Sequence, residues 1–429
     1  MKRYYKIKWV LLILSMGLGV SLNATPQEEQ KVLKLHDLIK EALEKNPLQK
    51  AAEHEVSSHQ AMIGPSGSYE DPMFGFEAKN YPVDTWSRRQ DGMTGNEISL
   101  SQKIPFPGKL SLLKKATTFE YNSKKETLNQ KQLDLIKSVK VAYYEFYLAA
   151  KKQSILKDQR SVIRQLIVVA RNKYTLGSIP QAELLNLQLE EAELINQLLQ
   201  AEREIQVKKS NLNYFLGRRE SLSGRPEDIT ITPLQFSKLT PESIADKIQN
   251  KNPGLKATHY QVQAASKKLT HAKLGYLPDF EFMLAYMYRE PSPGNTRGVD
   301  MASGKIGLSI PLWAFTKQSE QIKGARAEKA KADALFYEEQ NTLLRSTQTL
   351  YSELKEAHKR LDLYKTGILP LARQAIASGK SAYQASKLEY TSLLNLVQQR
   401  FQAEYSYHET IVNYENKIAE LESLTGSSI

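Results

Sequence analysis

The sequence predicts an α+β membrane protein. Each chain would supply four strands to a trimeric, twelve-stranded β-barrel that continues as a long α-helical coiled-coil barrel. Three observations carry this expectation. The chain repeats itself at about half its length. Two segments switch from helical to alternating periodicity. The runs between them are far too long for the helices of a globular core.

The repeat is explicit. Asn46-Pro47 recurs as Asn252-Pro253, Pro72 as Pro278, Phe74 and Phe76 as Phe280 and Phe282, and Ile104-Pro105 as Ile310-Pro311, each pair 206 positions apart. Leu184-Leu185-Asn186-Leu187 recurs as Leu393-Leu394-Asn395-Leu396, with Tyr174 matched by Tyr383, at an offset of 209. A unit this long is not a solenoid repeat, so it reads as an internal duplication. The first repeat spans 25–217. A linker rich in Pro, Ser, Thr and Gly spans 218–240, the second repeat 241–425, and a tail 426–429.

Residues 1–24 read as an export leader. A basic stretch (Lys2, Arg3, Lys6, Lys8) precedes an apolar run from Trp9 to about Val20, with Ala24 before Thr25-Pro26. That run is too short to span and has signal-peptide flanks. From Leu33 to Leu43 apolar residues fall at helical spacing. Asn46-Pro47 ends one helix and begins another, because proline keeps its predecessor out of α geometry. Phe74, Phe76 and Ala78 then alternate with Gly75, Glu77 and Lys79, and Ile98, Leu100, Gln102 and Ile104 with Ser99, Ser101 and Lys103. This period of two is the strand signal. It places a strand pair within 72–105, joined by a polar loop at 83–96.

From Lys109 to Leu176 there is neither glycine nor proline, and one helix over that run would reach ~100 Å at ~1.5 Å per residue. Leu128, Leu135, Val139, Ala142, Phe146 and Ala149 form a narrow seam of coiled-coil type. A turn at Tyr174 to Ser178 leads through Pro180 to a helix ending at Gly217, with Leu187, Leu194, Leu198, Ala201 and Ile205 on its seam. The second copy repeats the plan. It has a helix at about 241–276 and a strand at 278–289, then a loop at 290–304 and a fourth strand from Lys305 to Leu312. Long helices follow at about 314–378 and 384–424, with a bend at Pro370.

Four strands of this length suit an oblique bilayer crossing, and their alternation suits a lipid-facing barrel. Four strands cannot close alone, and open edges are not tolerated in hydrocarbon. Two chains would give a barrel filled by its own side chains, whereas three leave a lumen. The residues alone also admit a periplasmic coiled-coil scaffold with the hairpins as packing tabs.

The chain has no cysteine, which excludes disulfides, thiolate chemistry and a lipidated N-terminal cysteine. The formal charge is +12, part of it in the leader, and the remaining basic residues stand beside acids along helices. That is a solvated-face pattern rather than a nucleic-acid footprint. The seven histidines are scattered, and no set has metal-ligand spacing. No P-loop, dinucleotide fingerprint or nucleophile elbow stands in a fitting context. No enzyme activity and no cofactor is expected, so any energy must come from a partner.

Over residues 33–425 the chain resembles the TolC-like outer membrane efflux proteins. The resemblance rests on Asn252-Pro253 with the helix into Tyr276-Leu277-Pro278, on Leu308-Ser309-Ile310-Pro311-Leu312, and on Tyr174-x-x-Gly177 followed by Leu184-Leu185. Asp71-Pro72-Met73, Met93-Thr94-Gly95 and Leu100 to Leu110 look like the heavy-metal efflux branch, as do Leu369-Pro370 and Tyr390 to Leu394. The resemblance implies a homotrimeric exit duct in the outer membrane of a Gram-negative cell, extending into the periplasm. Its partners would be outer-membrane lipid, a periplasmic adaptor and an inner-membrane pump. Its cargo would be heavy-metal cations, with multidrug or type I protein secretion as the alternative. It puts the adaptor-contacting tips at Tyr174, Gly177 and Ser178 and at Tyr383 and Ser386. The gate candidates are Glu183, Asn186, Ser392 and Asn395; Arg171 and Lys173, just before the first tip turn, offer an ion pair or hydrogen bond between helices. Where the family often carries paired acids beyond the second tip, this chain has Ser392 and Asn395, which reduces an acidic ring to Glu183. Trp86 and Trp313 are expected at the two membrane–water boundaries, where amphipathic rings are favoured.

Overall fold

The structure, a computed structural model, describes residues 32–236, 239–293 and 295–426. The expected leader, and all of the expected tail except Gly426, lie outside the described residues. A short strand β1 (Val32–Leu33) precedes α1 (Leu35–Lys45), α2 (Pro47–Ala61) and the single turn α3 (Ile63–Ser66). The hairpin of β2 (Met73–Lys79) and β3 (Gly95–Ile104) leads into α4 (Lys109–Thr175) and α5 (Gln181–Leu216). The same order then recurs. β4 (Arg225–Pro226), α6 (Pro241–Lys251) and α7 (Pro253–Lys273) precede the hairpin of β5 (Phe280–Tyr288) and β6 (Met301–Leu308). It is followed by α8 (Ser319–Leu363), α9 (Leu369–Gln384) and α10 (Tyr390–Thr425).

The 67 residues of α4 form one helix, as the absence of glycine and proline predicts. Val139, Ala142, Phe146 and Ala149 are buried along its seam. On α5, Leu187, Leu194 and Ala201 are buried, with Leu198 and Ile205 packed at the edges of the cores.

Both halves use one corner device. Asn46 Oδ1 accepts from Leu48 N (2.8 Å) and Gln49 N (3.3 Å), capping α2, while its Nδ2 donates to Phe215 O (2.8 Å) at the end of α5. Asn252 Oδ1 accepts from Leu255 N (2.7 Å), and its Nδ2 donates to Leu424 O (2.9 Å) at the end of α10. Gly217 ends α5 at φ 68° and Gly426 ends α10 at φ 67°. A Cβ on Gly217 would stand 2.9 Å from Lys45 O, and one on Gly426 3.1 Å from Lys251 O. Glycine is required at these corners by conformation and by space.

The expected linker wraps the middle of the helices. β1 and β4 pair in parallel. Tyr143 donates to Leu33 O (2.9 Å) and accepts from Glu227 N (2.9 Å). Buried Glu415 accepts from Thr232 N (2.7 Å) and Oγ1 (2.9 Å), and burial raises its pKa. An ion pair of Lys140 with Glu422 and a bond from Ser423 to Asp134 (2.9 Å) tie α4 to α10.

The hairpins form one open antiparallel sheet in the order β2-β3-β5-β6. β2 and β6 have no strand on their outer sides among the described residues. Its register puts Phe76, Ile98, Tyr286 and Ala302 in one row and Phe74, Leu100, Leu284 and Gly304 in the next, all on one face. The large side chains of that face are exposed. The opposite face carries Glu77, Lys79, Glu97, Lys103 and Lys305. No described helix is long and apolar enough to cross a membrane.

Several expected boundaries shift. The strand pairs run 73–104 and 280–308 rather than 72–105 and 278–312. The fourth strand begins at Met301, inside the expected loop, because pairing with β5 carries it from Leu308 opposite Phe280 to Met301 opposite Met287. It ends early because Ser309 N turns to Asp279 O (2.9 Å) ahead of Pro311. The helix expected over 241–276 is broken at Asn252-Pro253, like its counterpart in the first half. α9 runs to Gln384, beyond the expected helix end at 378, and the second-half turn falls at 385–389, around Ser386 as expected. At Pro370 the helix does not end. A wide π turn over Tyr364–Ile368 immediately precedes it, absorbing the missing donor.

Two stability predictions follow from this packing. Asn46→Ala and Asn252→Ala should each cost ~1–2 kcal/mol, since each removes a cap and leaves a helix-end carbonyl without its donor. An unfolding midpoint unchanged in both would refute this role. His408 lies 3.0 Å by Nδ1 from the Tyr147 hydroxyl, and burial followed by nearby Lys151 lowers its pKa to about 4. The unfolded chain takes up this proton near pH ~6.5. Stability is therefore full above that pH and falls between about 6.5 and 4 as the unfolded state binds the proton first. His408→Gln should flatten this part of the stability–pH curve; an unchanged curve would show that other groups dominate.

Candidate gate at the helical tips

The far end of the molecule from the sheet is made by two turns. α4 ends at Thr175, and Ser178 N closes onto Lys173 O (2.8 Å) with Gly177 at φ 70°. α9 ends at Gln384, and Lys387 N closes onto Ala382 O (2.8 Å) with Ser386 at φ 56°. The two turns share a geometry, but serine replaces glycine in the second and accepts a left-handed conformation that costs a side chain ~1–2 kcal/mol.

Behind the tips, α4, α5, α9 and α10 share one core. Ile163, Ile167 and Ala170 of α4, Leu187 and Leu194 of α5, Ile376 of α9, and Leu393 and Val397 of α10 are all buried in it. Gly379 allows the close approach of α9 to α10: a Cβ there would stand 2.6 Å from Leu396 Cδ1. Arg160 (3.2 Å) and Arg164 (2.6 Å) both reach Glu191, joining α4 to α5 and holding that carboxyl below the usual range.

A three-residue clasp joins the two tips. The Tyr383 hydroxyl donates to Glu183 Oε1 at 2.6 Å. Lys173 donates to Tyr383 O (2.6 Å) and Ser386 Oγ (3.1 Å), and its ammonium lies 4.3 Å above the Tyr383 ring. Lys173 thus satisfies an end carbonyl of α9 and places positive charge at that helix's negative pole. Burial, then the bond to Glu183, raises the Tyr383 pKa far above neutrality. The hydroxyl therefore stays protonated and can donate.

Sequence reasoning places the right segments together but not all the right partners. Glu183 meets Tyr383. Among the described residues no ion pair joins it to Arg171, which is exposed; Lys173, two positions on, reaches across instead. Tyr383, expected on the docking surface, is 3% exposed, whereas its counterpart Tyr174 is 41% exposed. Gly177, Ser178 and Ser386 lie open at the tips, and Asn186, Ser392 and Asn395 are exposed on the first turns of α5 and α10. Tyr383 was visible in the repeat, but its bond to Glu183 joins α9 to α5 across 200 positions of sequence, which only the tertiary structure sets. Trp86 lies in the β2–β3 loop against Tyr81 (5.8 Å between ring centroids). Trp313 lies beyond β6 beside the helices, so the two tryptophans mark opposite ends of the sheet. Ile310, Leu312 and Phe315 are exposed around Trp313.

An open sheet with an apolar exposed face is thus seated on a helical shaft that ends in clasped turns. The chain belongs to the outer membrane efflux protein family, whose model matches residues 38–218 and 244–427. Its fold is shared with solved channels. The outer-membrane channel OprN aligns with TM-score 0.78 at 15% identity, covering 92% of this chain and 90% of that one. CusC aligns with TM-score 0.78 at 13% identity, covering 93% of each. VceC of Vibrio cholerae aligns with TM-score 0.76 at 16% identity, covering 92% and 97%. No curated protein matches the sequence.

The clasp makes a prediction. Tyr383→Phe with Lys173→Met should raise resting conductance and sensitivity to bulky antibiotics while leaving assembly intact. Each lost bond is worth on the order of 1 kcal/mol. Arg171→Ala alone should have no effect. Unchanged conductance in the double variant would remove the clasp from the gate.

Proposed function

We propose that the chain is the outer-membrane exit duct of a tripartite efflux system, working as a homotrimer. The observation that carries this reading is the open four-stranded sheet, with an apolar exposed face and both edges unpaired, at one end of very long helices. In hydrocarbon those edges must be paired. Joining β6 of one copy to β2 of the next, three times, closes twelve strands around a lumen. The two similar halves, each with the same asparagine corner and the same tip turn, support an internal duplication that gives twelve helical segments per trimer. Trp86 and Trp313 would sit at the two membrane–water boundaries.

In this reading the duct is passive. The clasped tips, with Glu183 as the gate acid, meet a periplasmic adaptor and an inner-membrane pump. These partners supply energy and pull the tips apart. Tyr174, Gly177, Ser178 and Ser386 form the docking rim. Export would remove residues 1–24. Heavy-metal cations come first as cargo, on the resemblance of the Asp71 to Leu110 segments to that branch. Multidrug or protein-secretion cargo is the second reading.

The absence of cysteine makes the test direct. One cysteine introduced on β2 and one on β6, scanned along the two edges, should give disulfide-linked trimers in outer-membrane fractions. The purified protein should pass single-channel current in planar bilayers. Monomers at every cysteine pairing, together with no current, would refute the duct.

A further inference from the structure

The polar face of the sheet carries an arrangement of methionines that solubility does not explain. The chain has eight methionines, of which Met1 and Met16 fall in the expected leader. None of the other six lies in 105–279 or 309–429. The helical body, with its three hydrophobic cores, therefore uses no methionine, although flexible thioethers are ordinary core fillers. Met62 follows α2 and Met93 lies in the β2–β3 loop. The remaining four, Met73, Met283, Met287 and Met301, are all in strands.

The register puts all four on the same face, and not on the apolar one. Met287 stands directly opposite Met301 and, on its other side, opposite Glu97, which pairs with Glu77. Met73 and Met283 both stand opposite Ser101. Two tiers result, about 13 Å apart along β5 at ~3.3 Å per residue. Between them runs a row of small residues, Gly75, Ser99, Ala285 and Ser303. This face otherwise carries mainly serine, lysine, glutamate and small residues. Met287 is packed beside Gly95, whereas Met73 and Met301 are exposed, where no apolar filling calls for methionine.

We propose that these methionines form two tiers of thioether ligands in the duct lumen that bind soft monovalent cations, Ag(I) or Cu(I), in passage. The proposal rests on the duct reading and specifies its cargo. Thioether sulfur is a neutral, polarisable donor that selects such ions over Mg²⁺, Ca²⁺ or Zn²⁺. Cross-strand partners have Cβ atoms ~4.5–5.5 Å apart, so the long side chains of Met287 and Met301 can bring both sulfurs to one ion. Three copies would turn each tier into a ring. Glu77 and Glu97, the latter held by Lys79 at 2.7 Å, place carboxylates beside the outer tier. Among the described residues no group of three or more His, Asp or Glu is placed to hold a metal ion, and no histidine lies in a strand. A conduit is better served by repeated weak sites than by one tight site, because ions must also leave.

The test uses the purified full-length protein in nitrate salts with silver nitrate as the probe. Added Ag(I) should produce brief interruptions of single-channel current in the wild type. The Met73→Leu, Met283→Leu, Met287→Leu and Met301→Leu quadruple variant should need about tenfold or more Ag(I) for the same effect, with silver-free conductance unchanged. Met62→Leu with Met93→Leu should behave as wild type. Silver K-edge absorption on the wild type should show sulfur neighbours, which in a chain without cysteine can only be methionine. Should the quadruple variant fail to assemble, the Met287→Leu/Met301→Leu pair and the absorption spectrum decide. Normal current with equal silver sensitivity in all variants, or a spectrum with nitrogen and oxygen neighbours only, would overturn the thioether tiers and leave the duct standing. No current in any form would overturn the duct itself, and the proposal with it.

Discussion

Everything in this architecture answers to the unpaired backbone at the two edges of a four-stranded sheet. A strand's N–H and C=O groups cannot be left without partners in hydrocarbon, and the outward face of this sheet suits no other solvent. Phe74, Phe76, Leu284 and Ile306 are all exposed on that face. In the proposed duct, further copies of the chain would pair those edges. In the proposed trimer, the barrel shared between copies would hand its chains on to a helical shaft of the same symmetry.

The two ends of the molecule are built to different strengths. At the middle, the asparagine corners, the Tyr143 and Glu415 bonds and the Lys140–Glu422 pair draw separate segments into buried, mutually satisfied networks. Such networks are rigid. At the tips, three side chains join α4, α5 and α9 through a few partly exposed bonds. Contacts of this kind contribute little individually and can be broken without unfolding the core behind them. A gate needs this contrast: a stiff shaft and an end whose closed state is only modestly preferred.

The sheet shows a similar division of labour between its faces. The apolar face varies little in chemistry, as a face turned to lipid in the proposed duct would, because lipid asks only for hydrophobicity. The other face combines carboxylates, ammonium groups, small hydroxyls and the strand methionines. Selectivity can be written only on this face, since only there would side chains meet what passes through.

The sequence alone determined the long helices, the paired strand segments, the duplicated plan and the tip turns. Each of these depends on local signals: missing glycine and proline between Lys109 and Leu176, the period of two at Phe74 to Ala78, and the αL turn at Gly177. It misplaced β6 because Met301-Ala302-Ser303-Gly304 has no apolar alternation and becomes a strand only by pairing with β5. It named Glu183 and Tyr383 without joining them, and named Arg171 and Lys173 together without telling which of them crosses to α9. Which side chain crosses between helices is set by their relative rotation in a packed core, and spacing along one chain does not contain that. The methionine tiers were likewise invisible as a set. Met73 and Met301 are far apart in sequence, and only the cross-strand register, a tertiary quantity, places them on one face.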